Sequence, residues 1–280
     1  MRQKRVVTVQ DISCLGKCSL TVALPILSAM DTEACVIPTA VLSTHTGGFS
    51  GYTFRDLTED ITPIADHWKK ENITFDAIYT GYLGSAEQCD LMIDLFERFR
   101  TEDNLIFVDP AMADNGKLYA GFAPDFPQQM KRVCAKADVI DPNLTEACLM
   151  LGEEFPGKTG YTREWICDML KRLCGLGCKI SVLTGVILTE DKQGAMAYNS
   201  ETDTFSEYFS DNLPTSFHGT GDVFSSALCG ALVRGQSMER ALKTAVDFTV
   251  DAIRISAADP ENPRYGVRFE AALPGLIQNL

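Results

Sequence analysis

The residues best placed to do chemistry lie in one short stretch, Phe217–Leu228 (FHGTGDVFSSAL), where a Gly-Thr-Gly-Asp turn runs straight into an apolar, small-residue helix. Two glycines open turn conformations barred to other residues and let the backbone approach a ligand closely. The amides of Gly219, Thr220 and Gly221 can then point outward together, reinforced by the positive end of the following helix. That makes an anion hole without a single Lys or Arg. Asp222 opens the same helix, and two readings of it stand. It is a helix cap, as Asp commonly is, or a carboxylate that takes a proton from a hydroxyl while negative charge builds beside it. The helix start is expected to keep Asp222 ionised, which suits a base.

Three further stretches offer polar groups at the ends of apolar runs. Val108-Asp109-Pro110-Ala111-Met112 continues to Asp114, and its Pro stops a strand just after a carboxylate. Asp141-Pro142-Asn143-Leu144-Thr145-Glu146 follows the next run. There Asn143 can cap a helix and Glu146, at its third position, can complete a capping box. Taken together, Asp109, Asp114 and Glu146 fall at successive strand ends and could share a hydrated Mg2+, which prefers a few carboxylates, waters and substrate phosphates. Leu183-Thr184-Gly185 is a weaker signal, a phosphate contact through Thr184 Oγ1 or simply a Thr-Gly turn.

The elements that must position these residues are legible as alternation. Arg5–Gln10, Ala34–Pro38, Ala77–Thr80, Leu105–Asp109, Asp138–Ile140 and Ile180–Thr184 read as strands. Leu20–Met30, Ala86–Arg100, Gln128–Ala135, Leu144–Leu151 and Arg163–Cys174 read as helices. Strands spaced by helices predict βαβ units and a largely parallel α/β sheet, with ligands at the carboxyl ends of the strands. Thr39–Tyr52 is polar and Gly-rich and reads as a loop or flap; Gly194–Phe209 reads as a hairpin. After Phe217 the chain reads as helical, with breaks near Gly235 and through Asp259–Gly266. No linker or repeat divides residues 1–280, so a single domain is expected.

Composition narrows the classes. The formal charge of −13 argues against a nucleic-acid surface, which depends on clustered Lys and Arg. No run reaches the ~18 apolar residues of a spanning helix, and Gln10 and Asp11 interrupt any signal-peptide core, so a cytoplasmic protein without a membrane partner is expected. Ten Cys without a Cys-x-x-Cys, and three scattered His, read as reduced thiols rather than a metal cage. There is no P-loop, no Gly-x-Gly-x-x-Gly after the first strand and no Gly-x-Ser-x-Gly.

Over nearly its whole length the chain resembles the ribokinase-like superfamily, and within it the pyridoxal/pyridoxamine (vitamin B6) kinases. The Gly219–Asp222 turn looks like the superfamily's anion hole and base, Asn143-x-x-Glu146 like its phosphate and Mg2+ element, and Asp109-Pro110 like its strand-end motif. Gln10, the flap Ser43-Thr44-His45-Thr46 and Thr80-Gly81-Tyr82-Leu83-Gly84-Ser85 resemble features of the B6 kinases that sugar kinases lack. The resemblance implies a three-layer α/β/α sandwich with a small flap, an ATP-dependent transfer to the 5′-hydroxymethyl of a B6 vitamer, and a homodimer. It implies Asp222 as base, and His45, Thr46 and Tyr82 lining the pyridine pocket. Asp114, Asn143, Glu146, Thr184 and Thr220 would face ATP, with Asp109 and Glu146 at Mg2+ and room for a monovalent cation. The residue after Gln10 is commonly Ser in these kinases; here it is Asp11, which either meets a protonated ring nitrogen or 4′-amine, or points at solvent. Cys14 and Cys18 are expected near the pocket mouth as inert thiols, and His218 as structural. A hydroxymethylpyrimidine kinase is the nearest alternative, then a sugar kinase, then a non-catalytic B6-binding relative.

Overall fold

Apolar runs become strands and amphipathic stretches become helices in the computed structural model, which describes residues 2–262 and 265–280. The first half runs β1 (Lys4–Ser13), α1 (Leu20–Ala29), β2 (Thr32–Leu42), β3 (Phe54–Asp56), α2 (Thr58–Lys70), β4 (Ala77–Thr80) and α3 (Ala86–Phe99). Next come β5 (Leu105–Val108), a small hairpin of β6 (Ala113–Asp114) and β7 (Lys117–Leu118), α4 (Phe126–Cys134), β8 (Val139–Ile140), α5 (Leu144–Leu151) and α6 (Arg163–Cys174). The chain then forms β9 (Ile180–Thr189), β10 (Lys192–Asn199), β11 (Thr204–Asp211), α7 (Thr220–Val233), α8 (Met238–Ala258) and α9 (Leu273–Gln278).

Among the described residues a nine-stranded sheet has the order β11-β10-β9-β8-β5-β4-β1-β2-β3. The run from β9 to β2 is parallel, and β10, β11 and β3 join antiparallel at the two sides. Parallel strands need covering on both faces, so their side chains are apolar in both directions. Val7, Val9 and Ile78 pack with α2 to α6 on one face, whereas Val6, Ala77 and Tyr79 pack with α1, α7 and α8 on the other. This alternation is the pleat of a strand. Fully burying each such Val or Ile side chain contributes about 1.5–3 kcal/mol. The result is the expected three-layer α/β/α architecture with a mostly parallel central sheet.

Departures from expectation have local causes. The stretch Thr39–Leu42, read as loop, continues β2, and only 43–53 forms the flap before β3 returns along Ala40–Leu42. Pro38 is tolerated in β2 because β3 does not reach it, leaving that side of the strand unpaired. The first strand does not end at Gln10 but runs to Ser13 through a register shift between Gln10 and Ile12. Helix α2 went unread because Ile61 and Ala65 are its only buried residues and Pro63 lies inside it. The break through Asp259–Gly266 is present at its ends, and positions 263 and 264 within it lie outside the described residues.

Candidate active site

The carboxyl ends of the parallel strands meet at one rim, and a cavity of about 710 Å3 opens there. Asp11, His45, Thr46, Tyr82, Asp109, Asp114, Asn143, Glu146, Thr184 and Gly219–Asp222 all line it, whereas Gln10 and Cys14 do not. Asp109 directly follows β5, its amide bonded to Thr80 O at 2.9 Å. Asp141 follows β8 in the same way, its amide on Val108 O at 3.2 Å. Asn143 bridges to Thr184 of β9, bringing two more predicted positions together.

At the start of α7, Gly219 takes a left-handed conformation (φ 80°) and no side chain caps the helix. The turn must be glycine: a Cβ on Gly219 would lie 1.8 Å from Lys17 O. Thr220 Oγ1 turns back to Phe217 O at 3.3 Å, so no side chain fills the turn. The turn lines the cavity through Gly219, Thr220, Gly221 and Asp222.

The expectation of an ionised Asp222 is corrected. Burial first, and the charge of Asp109 second, push its carboxyl up to about 8, against the opposing pull of the Ser19 amide and its own. Amides at the helix start favour the charged form, but here burial and a like charge outweigh them. Asp109 is likewise raised to about 7 by burial. Asp141 stands well above the ordinary carboxylate range, through burial and then repulsion from Asp109. Ser225, one turn along α7, donates its hydroxyl to Asp141 Oδ2 at 2.6 Å. Asp141 and Ser225 were not picked out beforehand. The signal was there: a strand followed by Asp-Pro occurs twice, at Asp109-Pro110 and Asp141-Pro142.

The capping box at α5 forms in full, with Asn143 Oδ1 accepting from the Glu146 amide and Glu146 Oε2 accepting from the Asn143 amide. Glu146 Oε1 also takes the amides of Met112 (3.0 Å) and Ala113 (3.3 Å). Asp114 is exposed and folds back on the amide and side chain of Asn115. Asp109, Asp114 and Glu146 therefore form no cage by themselves, and among the described residues no three His, Cys, Asp or Glu side chains gather to hold a metal. The donors nonetheless suit Mg2+. Asp141 Oδ1 is buried without a hydrogen-bond partner, the neighbouring carboxyls are short of positive charge, and Lys158 is the one Lys or Arg lining the cavity among the described residues. Mg2+ asks for one or two carboxylates and takes the rest from water and phosphates.

The cavity also gathers Asp11, His45, Thr46 and Tyr82. Asp11 does not point at solvent. It is 5% exposed, accepts Ser13 Oγ at 3.0 Å and Ser19 Oγ at 2.6 Å, and burial raises its carboxyl. His45 Nδ1 accepts the Gly47 amide at 3.0 Å, and its ring lies 5.4 Å from that of His218. Burial, then His218, lower its pKa. His218, expected to be structural, lines the cavity as well. Tyr82 is pushed up to about 12, mainly by burial and then by Asp11. Cys18 lines the cavity and Cys14 is exposed; burial, Asp222 and Asp11 push the Cys18 thiol up, away from a reactive thiolate. Gln10 is fully buried beneath Gly81, where a Cβ would come within 2.8 Å of it. Beyond the carboxylates the lining turns apolar, with Ile187 of β9 and Val246, Val250 and Ile253 of α8.

A family model described as phosphomethylpyrimidine kinase matches residues 24–266. The structure is similar to that of a Bacteroides thetaiotaomicron protein classed as a phosphomethylpyrimidine kinase, at 38% identity and a TM-score of 0.93 over 99% of this chain and 94% of that one. A crystal form of that protein with pyridoxal gives 38% identity and a TM-score of 0.92 over 98% and 96% of the two chains. Pyridoxal kinase from Lactobacillus plantarum is 29% identical, with a TM-score of 0.88 over 99% of this chain and 98% of that one. Among curated relatives, the pyridoxine/pyridoxal/pyridoxamine kinase of Bordetella avium is 26% identical over 260 residues, or 89% of this chain and 84% of the relative.

Proposed function

The chain belongs to the phosphomethylpyrimidine kinase family of ribokinase-like proteins, and from that premise we propose that it transfers a phosphoryl group from ATP to the 5′-hydroxymethyl of pyridoxal, pyridoxamine or pyridoxine. One observation carries the reading: the uncapped amides of Gly219–Gly221, with Asp222 beside them, share a single cavity with Asp11, His45, Thr46 and Tyr82. The crystal form of the Bacteroides thetaiotaomicron relative with pyridoxal supports the same substrate class.

Asp222 orients the hydroxyl and accepts its proton late, because an alcohol is far too weak an acid for an aspartate to ionise beforehand. Burial and the Asp109 charge raise the pKa of Asp222 to about 8, which makes it a stronger base than an ordinary Asp. Positive charge near Asp109 restores the ionised form by cancelling the repulsion. The amides of Gly219–Gly221 stabilise charge on the transferring group, worth ~2.7–4 kcal/mol per donor in comparable oxyanion sites. Asp114, Asn143, Thr184 and Thr220 face the nucleotide phosphates in this reading, and the apolar end of the cavity takes the base. Asp109 and Glu146 would hold Mg2+, with Asp141 supplying the oxygen that lacks a partner; the ion neutralises phosphate charge. The reading also takes the protein as a cytoplasmic homodimer, one kinase domain over 1–280, assisted by a monovalent cation. Gel filtration and a comparison of K+ with Na+ test these points.

Purified protein with Mg·ATP is expected to convert a B6 vitamer to its 5′-phosphate, followed by chromatography of the product. The matched family's own description favours a second reading, hydroxymethylpyrimidine kinase. Turnover of hydroxymethylpyrimidine with none of any B6 vitamer would establish it instead. Tight B6 binding without turnover of either would point to a non-catalytic relative.

A further inference from the structure

Ser19 stands out in the backbone. It is one of the few non-glycine residues with positive φ (51°, with ψ −133°), a conformation that L side chains enter only when their surroundings hold them there. Serine at the N-cap of a helix usually turns its oxygen onto the first helical amides. Ser19 occupies the N-cap of α1 and makes no such bond. Its hydroxyl is spent on Asp11 Oδ1, at 2.6 Å and fully buried.

The strained residue also touches the opposite wall. The segment Lys17–Ser19 lies directly on the anion-hole turn, where Gly219 has no room for a Cβ against Lys17 O. Thr21 Oγ1 pins the same segment from behind, bonding Cys18 O at 2.8 Å and Gly16 O at 3.1 Å. The backbone of Ser19 favours the charged form of the Asp222 carboxylate, and the adjoining Lys17 carbonyl packs on the turn that leads into Asp222. Ser13 completes the set from the far side of Asp11, at 3.0 Å. Asp11, Ser19 and Asp222 all line the one cavity.

We propose that Ser19 is a positioning residue that ties the substrate-side carboxylate of Asp11 to the proton-accepting carboxylate of Asp222, its hydroxyl holding the first and its main chain the second. The twisted backbone is what lets one residue serve both walls. Relaxation to an ordinary helical N-cap would turn the hydroxyl onto α1 and release Asp11. The consequence falls on the hydroxymethyl acceptor, which lies between the two carboxylates, and spares ATP.

This inference rests on the kinase reading, and the test separates the two. Steady-state kinetics are measured for wild type, Ser19→Ala, Ser19→Gly, Asp11→Asn and Ser19→Ala/Asp11→Asn, varying acceptor and ATP separately. Loss of the hydroxyl is expected to lower kcat/KM for the acceptor roughly 10- to 100-fold, the worth of a hydrogen bond to a charged group, with KM for ATP within about twofold. Glycine enters positive φ freely, so Ser19→Gly should fold at least as stably as Ser19→Ala and show the same acceptor defect. The double variant should be no worse than Asp11→Asn alone, since the two changes remove one interaction. Recovery of wild-type kinetics in Ser19→Gly overturns the proposal, because the defect then comes from strain. So do multiplicative effects in the double variant, or equal shifts in KM for ATP and acceptor. A wild type that phosphorylates no acceptor defeats the kinase reading and this inference together, whereas an active wild type with unaltered Ser19→Ala kinetics defeats this inference alone.

Discussion

Two helices, α5 and α7, begin at the same rim of the sheet, and their first turns are built in opposite ways. At α5 the sequence supplies a full capping box, and Asn143 and Glu146 satisfy each other's amides while Glu146 also takes those of Met112 and Ala113. At α7 a glycine in left-handed conformation replaces the capping side chain, and none closes the turn. Unpaired amides at a helix start must find water, a side chain or a ligand. The closed start fixes the architecture of the loop that follows β5; the open start leaves its first turn without a side-chain cap. A kinase-like site needs both, since the rigid start holds the carboxylates in register with the reactive one.

The sharpest break in this contrast comes from Asp222→Asn. Asparagine matches the shape of Asp222 and cannot accept the proton, so kcat is expected to fall by about 10²–10⁴-fold, the usual worth of a general base. ATP binding, followed by calorimetry, should change little. A loss of less than tenfold would exclude Asp222 as the base. Gly219→Ala comes next. The added Cβ meets Lys17 O and forces a positive φ of 80° on alanine, turning the amides away, and removal of such donors costs roughly 10²–10³ in kcat. Full activity in that variant would show that the open turn is not the anion site.

The closed start should respond mainly in stability, with any lost nucleotide contact read in KM for ATP rather than in kcat. Asn143→Ala removes the cap to Glu146 and a 2.8 Å bond from Nδ2 to Ala113 O, so a loss of about 1–2 kcal/mol is expected, read as a Tm lower by several degrees. If kcat instead drops as far as in Asp222→Asn, the division between a structural and a catalytic helix start fails.

How much of this was legible in the sequence differs between the two starts. Both were recognised from local pattern, and helices such as Leu144–Leu151 and Arg163–Cys174 were bounded correctly because their apolar spacing and flanking caps agree. Groups that meet across the cleft were not legible. Asp141 was absorbed into the capping motif beside it, although it lines the same cavity as Asp109. Asp11 sits where β1 and β2 slip register, a feature that only the pairing of two strands creates. Asp222 was assigned its ionisation from the adjacent amides, which the sequence displays, without the burial and the Asp109 charge, which it does not.

That last error supplies the mildest test of the comparison. An unfolded Asp titrates near 3.9, and folded Asp222 near 8. Between these values the folded chain keeps a proton that the unfolded chain has released, so raising the pH through the window removes stability, and above about 8 the loss levels off. Asparagine has no proton to lose. Without ligands, the Tm of Asp222→Asn should therefore exceed that of wild type by an amount that grows between about pH 4 and pH 8 and vanishes below it. Each 2–4 °C of that gap corresponds to roughly 1 kcal/mol in a chain near this size. Thermal melts of both proteins from pH 5 to 8.5 measure it, and taking the difference cancels the titration of all other groups that the substitution leaves alone. If the gap is constant with pH, Asp222 is already ionised and the open amides of α7 outweigh both its burial and Asp109. If it grows as described, the open helix start leaves its carboxylate undercompensated until positive charge arrives with the substrates.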